Sequence, residues 1–390
     1  MVHLASTLVA GLAGLASVAS AHPGHDVKAE AAVRAAYLKH APQHARSLNQ
    51  CADKLRARGH ERQNVARRAQ MVDNLRRSKG LQTRAPFLKA RDLDTVLNTT
   101  HHSSLDVDLS TDPNVLFASN ATCILGSDVT QGPYYVTGEL IRTNIVEDQA
   151  GVPLYLDIQM IDTNTCDPVP DVYLDLWHCN ATGVYSGVVA NGNGNANDET
   201  NLDATFLRGL QKTDADGIVQ FQSIFPGHYT SRATHIHVLA HALNKTSVNT
   251  NNNTISGLYT THSAHVGQLF FDQDLISVVE ETSPYSTNTQ ELTTNADDGI
   301  LSQEAEEIDP FVEYVFLGDS VSDGIFAWIS MGMDATQDSE ITPAAYYTEN
   351  GGVENENSGG MGGGGSGGPG GSGSGPMPSG SGGFPAPSGF

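Results

Sequence analysis

Leu154-Tyr155-Leu156-Asp157-Ile158-Gln159-Met160-Ile161-Asp162 carries apolar side chains at 154, 156, 158 and 160. Successive side chains of a strand point to opposite faces, so this period of two predicts a β-strand with one buried face. Asn164, Cys166, Asp167 and Pro168 then supply turn chemistry. The alternation resumes at Val172, Leu174 and Leu176. Working outward, Asp216-Gly217 is a hairpin signal that leads into Ile218, Phe221 and Ile224. Ile236 to Leu239 and Gln268 to Phe271 read as further short strands. Many short strands joined by long Asn/Gly loops predict a mainly β chain with a β-sandwich core and long irregular loops. The acidic stretch 290–340 has no clear period and reads as loops and short strands wrapped on the sheet.

The flanks differ from this core. Residues 1–21 read as an export signal: Leu4 to Val18 is small and apolar, and Ala19-Ser20-Ala21 is a small-x-small cleavage site. An apolar N-terminal helix is the alternative. No later segment has the length of apolar chain that a membrane span needs. Residues 22–100 form a basic arm. Its part from 26 to 82 is rich in Ala, Lys, Arg, Leu and Gln, which predicts helix, with a break at Gly59 and a stop at Gly80. Its dibasic pairs, Arg67-Arg68 and Arg76-Arg77, read as turns of that helix in preference to processing sites of a propeptide. The sandwich is expected over 101–345, and 346–390 as a disordered Gly/Ser/Pro-rich tail. Of the 32 residues from Gly359 to Phe390, 16 are glycine, which leaves nothing to bury.

Charge divides the chain. Residues 26–100 hold 16 Lys/Arg and 7 Asp/Glu, a net of +9. Residues 101–390 hold 5 Lys/Arg and 37 Asp/Glu, a net of −32. The acidic body excludes nucleic acid as a partner. The arm is expected to complement the body, with cell-wall association as another use of its charge. Five Asn-x-Ser/Thr sequons begin at Asn98, Asn120, Asn180, Asn244 and Asn252, which suits a secreted glycoprotein. Cys51, Cys123, Cys166 and Cys179 predict two disulfides, with three connectivities open. No CxxC pair suggests a thiolate metal site.

Thr234-His235-Ile236-His237-Val238 would present two imidazoles on one strand face while Ile236 and Val238 turn to the core. Such a pair suits a metal but does not prove one. Tyr229 follows a Pro226-Gly227 turn six residues upstream, and Tyr185 ends the run Trp177-His178-Cys179-Asn180-Ala181-Thr182-Gly183-Val184-Tyr185. Two tyrosinate oxygens with two neutral imidazoles suit a trivalent ion better than zinc, because the anions offset much of its charge.

Four motifs occur in a fixed order: Gly132-Pro133-Tyr134-Tyr135, then Trp177 through Tyr185, then Pro226-Gly227-His228-Tyr229, then Arg232-Ala233-Thr234-His235-Ile236-His237. With them the chain resembles the intradiol ring-cleavage dioxygenases, especially their secreted fungal branch, from about Cys123 to Phe271. The resemblance implies Fe(3+) held by Tyr185, Tyr229, His235 and His237. It implies catalytic roles for Arg232, Gln268 and Tyr229, and a substrate pocket lined by Tyr134 and Tyr135. The reaction implied joins O2 to a small aromatic diol of catechol type and opens the ring to a muconate-type dicarboxylic acid. Ala233 departs from the proline common at that place in bacterial members. The Asn-rich insert at 191–201 is another departure and is expected to reshape the mouth of the site. Of a different class is a non-catalytic secreted β-sandwich that binds cell-wall glycan, which the tail and sequons fit equally well.

Overall fold

The strand expected from the opening stretch is β3 (Pro153–Asp162). The computed structural model describes residues 48–81, 122–124, 134–305 and 309–356, apart from short gaps at 191–192, 196, 244, 246, 249–257 and 260–261. The export signal, the tail beyond residue 356 and the sequons at Asn98, Asn120, Asn244 and Asn252 lie outside these residues; the expected tail boundary at 346 is too early, because 346–348 and 351–354 pair as strands. β3 pairs antiparallel with β6 (Ile218–Ile224) and parallel with β12 (Ile325–Met333). β12 in turn takes β11 (Glu313–Phe316) and β1 (Thr122–Ile124) along its other edge. The second sheet runs in the order β13 (Ser339–Glu340), β10 (His262–Phe270), β7 (His235–His241), β4 (Tyr173–Trp177), β5 (Arg208–Lys212). Two small sheets complete the strands. β2 (Val136–Thr137) pairs with β14 (Ala345–Thr348), which pairs with β15 (Gly351–Glu354), and β8 (Ser247–Val248) pairs with β9 (Leu258–Tyr259).

The core is the layer between the two large sheets. Leu154, Leu156, Ile158 and Met160 of β3 and Ile325, Ala327, Ile329 and Met331 of β12 meet Leu174, Leu176, Ile236 and Val238 there. The first sheet buries its other face as well, against helix. α1 (Ala52–Ala57) and α2 (His60–Ser78) are separated at Gly59, as the sequence predicts, and α2 ends at Gly80, where Leu81 N–H reaches back to Arg76 O. Val65 and Val72 of α2 pack with Tyr155, Phe326 and Trp328. Arg67 holds Asp157 with two hydrogen bonds of 2.7 and 2.9 Å, and the buried Arg68 lies beside the same carboxylate. Arg76 donates to the carbonyls of Leu317 and Phe316. The dibasic pairs are therefore built into the fold, each with one fully or nearly fully buried member.

Two expectations need correction. Stretch 290–340 contains β12, a nine-residue strand in the middle of a sheet, where only short strands and loops were expected. Both faces of β12 are buried, one by the sandwich core and one by α2, so its sequence is apolar on both faces, Ser330 apart, with no period of two. Of the two expected disulfides, one is formed between Cys51 and Cys166. Cys179 is a buried free thiol that donates to Gly227 O instead, because the loop at 225–229 closes over it. The side chain of Cys123 lies outside the described residues.

Candidate metal centre

His235 and His237 stand on β7, the middle strand of the second sheet, with Ile236 and Val238 in the core as expected. They share the outer face. In register with His237 are Gln268 on β10 and Trp177 on β4, and in register with His235 is Phe270. The Trp177 indole stacks on the His237 ring at 5.0 Å and 3°. The His235 Nδ1–H donates to Ala233 O at 2.6 Å, since a carbonyl can only accept. That hydrogen bond leaves the lone pair of His235 on Nε2. The two Nε2 atoms are 3.0 Å apart, and the Tyr229 hydroxyl is 3.2 Å from His235 Nε2.

Each tyrosine comes from a loop that the local sequence bends. After β4, the Asn180 carboxamide accepts from the backbone of Thr182 and Val184, and Gly183 takes a φ of 80°. A Cβ at Gly183 would run into His228 O. The insert at 191–201 holds Tyr185 from behind. Asn193 accepts from Tyr185 N at 2.7 Å, and Asn193 and Asn201 both donate to Tyr185 O. The structure gives this insert a scaffolding role that the sequence did not suggest. Tyr229 sits in a turn closed by its backbone bridge to Arg232, and the neighbouring His228 is anchored by Gln290 and by Glu280, the last residue of α3 (Gln273–Glu280). The Tyr185 ring lies 5.5 Å from the Tyr229 ring and 6.0 Å from His237. Tyr134 lies against Tyr185 at 4.7 Å, and Tyr135 against Trp177 at 5.4 Å.

Arg232 is fully buried. Its Nη2 donates to Gln268 Oε1, so the two predicted catalytic side chains touch. Its Nε donates to Asp298 Oδ2 at 2.9 Å. Burial works against the guanidinium charge, but Asp298 and the neighbouring Tyr229 and Tyr185 together hold the pKa above the ordinary value. Burial, then the neighbouring Tyr229, pushes the Tyr185 phenol well up, and burial raises Tyr229 as well. Both tyrosines are therefore neutral phenols until a cation joins them.

All eight residues singled out in the sequence lie in one buried cluster around β7. Trp177, Asn193, Asn201 and Asp298 were missed. Asp298 had one signal, an acidic side chain ahead of Gly299-Ile300-Leu301, where a helix begins. Among the described residues no group of three or more His, Cys, Asp or Glu side chains could hold a metal. Tyrosine oxygens are the further donors here, and they fit. Bonds of about 2.0–2.2 Å to imidazole and oxygen set neighbouring donors about 3 Å apart, the length of the two separations above. The Tyr185 hydroxyl is buried and lacks a hydrogen bond of good geometry among the described residues, as a ligand oxygen would.

The family model described as Dioxygenase matches residues 130–311. The chain is 30% identical to an intradiol ring-cleavage dioxygenase from Tetranychus urticae, over 56% of this chain and 98% of that one, with a TM-score of 0.44. It belongs to the intradiol ring-cleavage dioxygenase family. Similar solved structures include hydroxyquinol 1,2-dioxygenase from Pseudomonas putida DLL-E4 (17% identity, 54% of this chain and 67% of that one, TM-score 0.33). Another is catechol 1,2-dioxygenase from Pseudomonas arvilla C-1 (19% identity, 52% and 60%, TM-score 0.31). No curated protein matches the chain. Membership makes this dioxygenase an enzyme of ring cleavage, with the β7 cluster at the centre of the matched segment.

Proposed function

We propose that this dioxygenase is a secreted ferric enzyme whose ion is held by Tyr185, Tyr229, His235 and His237, and that it cleaves catechol-type diols between their two oxygens. The observation that carries the reading is the approach of His237 Nε2, at 3.0 Å, and of the Tyr229 hydroxyl, at 3.2 Å, to the Nε2 of His235. Two tyrosinates would offset two of the three charges of Fe(III), which makes its burial tolerable. When bound, the ion would supply Lewis acidity, holding the diol as an anion and making its ring electron-rich enough for O2.

The protein's own groups do the rest. The Tyr229 oxygen accepts a proton from the incoming diol. The Trp177 stack and the Ala233 carbonyl keep the two imidazoles in place. Arg232, with Gln268, stabilises negative charge that develops on the opening ring. Tyr134 and Tyr135 exclude water beside it. Both atoms of O2 end in the dicarboxylic product, so no outside reductant is required.

Metal analysis and a visible spectrum of the purified protein test this. One iron per chain and a burgundy colour that shifts on adding catechol are expected. A colourless protein that stays inert after ferric reconstitution would overturn the reading. Tyr185→Phe is expected to lose the colour and at least about 100-fold in kcat. Secretion is tested separately, by sequencing the amino terminus of the exported protein, which should begin at His22.

A further inference from the structure

Asp298 is fully buried, and each of its oxygens serves two donors. Oδ1 accepts from Ile300 N at 2.8 Å and Leu301 N at 3.1 Å, in the first turn of α4 (Gly299–Glu304). Oδ2 accepts from Arg232 Nε at 2.9 Å and Ala233 N at 2.8 Å. A helix cap needs only the first pair. The second pair lies in the turn that leads into β7, the strand that carries the histidines.

Consider what the second pair fixes. A guanidinium bonded at Nε and at Nη2 has its plane set, and these two contacts are Asp298 and Gln268. Gln268 lies in register with His237. Ala233 is held on both sides of its Cα as well, its N–H by Asp298 and its carbonyl by the His235 ring. One carboxylate thus sits behind both Arg232 and His235. Arg232 is one of five Lys/Arg in residues 101–390, and its charge in a fully buried place depends on a partner.

We infer that Asp298 is the positioning residue of this site: it aims the Arg232 guanidinium at the reacting ring and, through Ala233, sets the orientation of His235. The inference rests on the reading of Arg232 as the group that faces developing negative charge. It adds a carboxylate that never touches substrate and lies in a segment outside the four sequence motifs.

The test compares iron-loaded wild type with Asp298→Asn, Arg232→Gln and the double variant. Asparagine keeps an oxygen for the α4 cap but opposes an NH2 to Arg232 and Ala233. Asp298→Asn should lower kcat on catechol about 100-fold with KM changed by less than about threefold. In the Arg232→Gln background the same change should have almost no further effect, because the residue it positions is gone. Melting of the metal-free proteins gives a second readout. Arg232→Gln leaves Asp298 buried without its cation, so the double variant should melt higher than Arg232→Gln alone. An equal fold-loss from Asp298→Asn in both backgrounds, or wild-type kcat in Asp298→Asn, would overturn the inference while leaving the proposed iron chemistry intact. Full turnover in Arg232→Gln would instead sink the role assigned to Arg232 and the inference with it.

Discussion

Gly183 shows how narrowly the loop that carries Tyr185 is specified. Its φ of 80° costs a non-glycine residue about 1–2 kcal/mol, and a methyl group would also press on the His228 carbonyl. Gly183→Ala should therefore lower stability by more than that figure, read as a shift in denaturant midpoint. It should also displace Tyr185, read as lost iron absorbance. Asn193→Ala is milder: it removes the bonds to the backbone of Tyr185 and should weaken iron retention more than it weakens the fold, checked by iron content after dialysis against a chelator. At this scale the sequence was most legible. The strand period put His235 and His237 on one face, the Pro-Gly turn pointed to Tyr229, and the run from Trp177 that follows a strand offered Tyr185. Trp177 and Asp298 were not legible, because their partners lie far along the chain and no local spacing records such pairs; Asn193 bonds Tyr185 only eight residues away, but in an irregular segment that has no period to read.

Among the elements, α2 has the largest consequence for how the chain should be divided. It lies on the outer face of the first sheet, with Arg67 and Arg68 on Asp157 and Asn64 on Gln159. Asp157→Ala should cost about 3–5 kcal/mol in chemical unfolding, since it strands the buried Arg68 charge. The helices were readable from composition, and Gly59 and Gly80 from helix-stop chemistry. The seat of α2 was not. Tyr155, Asp157 and Gln159 look like the solvent side of a strand until something covers them. The same covering hid β12, whose two buried faces erase the alternation that revealed β3. The Cys51–Cys166 bridge ties α1 to the turn after β3. Proteolysis within the described arm would therefore leave a covalently attached fragment, visible as a band that separates only on reducing gels.

Across the whole molecule, buried titratable groups pull stability in opposite directions. Burial pushes Asp175 up to about 7. Its native pKa exceeds the unfolded value, so its contribution is full at low pH and is lost as pH rises through about 7. Asp175→Asn should gain on wild type between pH 4 and 7, by up to about 1.4 kcal/mol per pH unit, with a constant gap above pH 8. His178 acts the other way. Burial lowers it to about 4, so its contribution is full above pH 6.5 and fades as pH falls toward 4. Melting curves of Asp175→Asn and of His178→Asn across this range check the two signs. β12 lies between β3 on one side and β1 and β11 on the other, yet it is made long after β3. At about 5–20 residues per second, a ribosome needs roughly ten to thirty seconds to travel from Leu154 to Ile325. Throughout that interval β3 has an open edge where its parallel neighbour belongs. The half-made sheet is then a substrate for chaperones, and slowing translation between these points should raise the aggregated fraction.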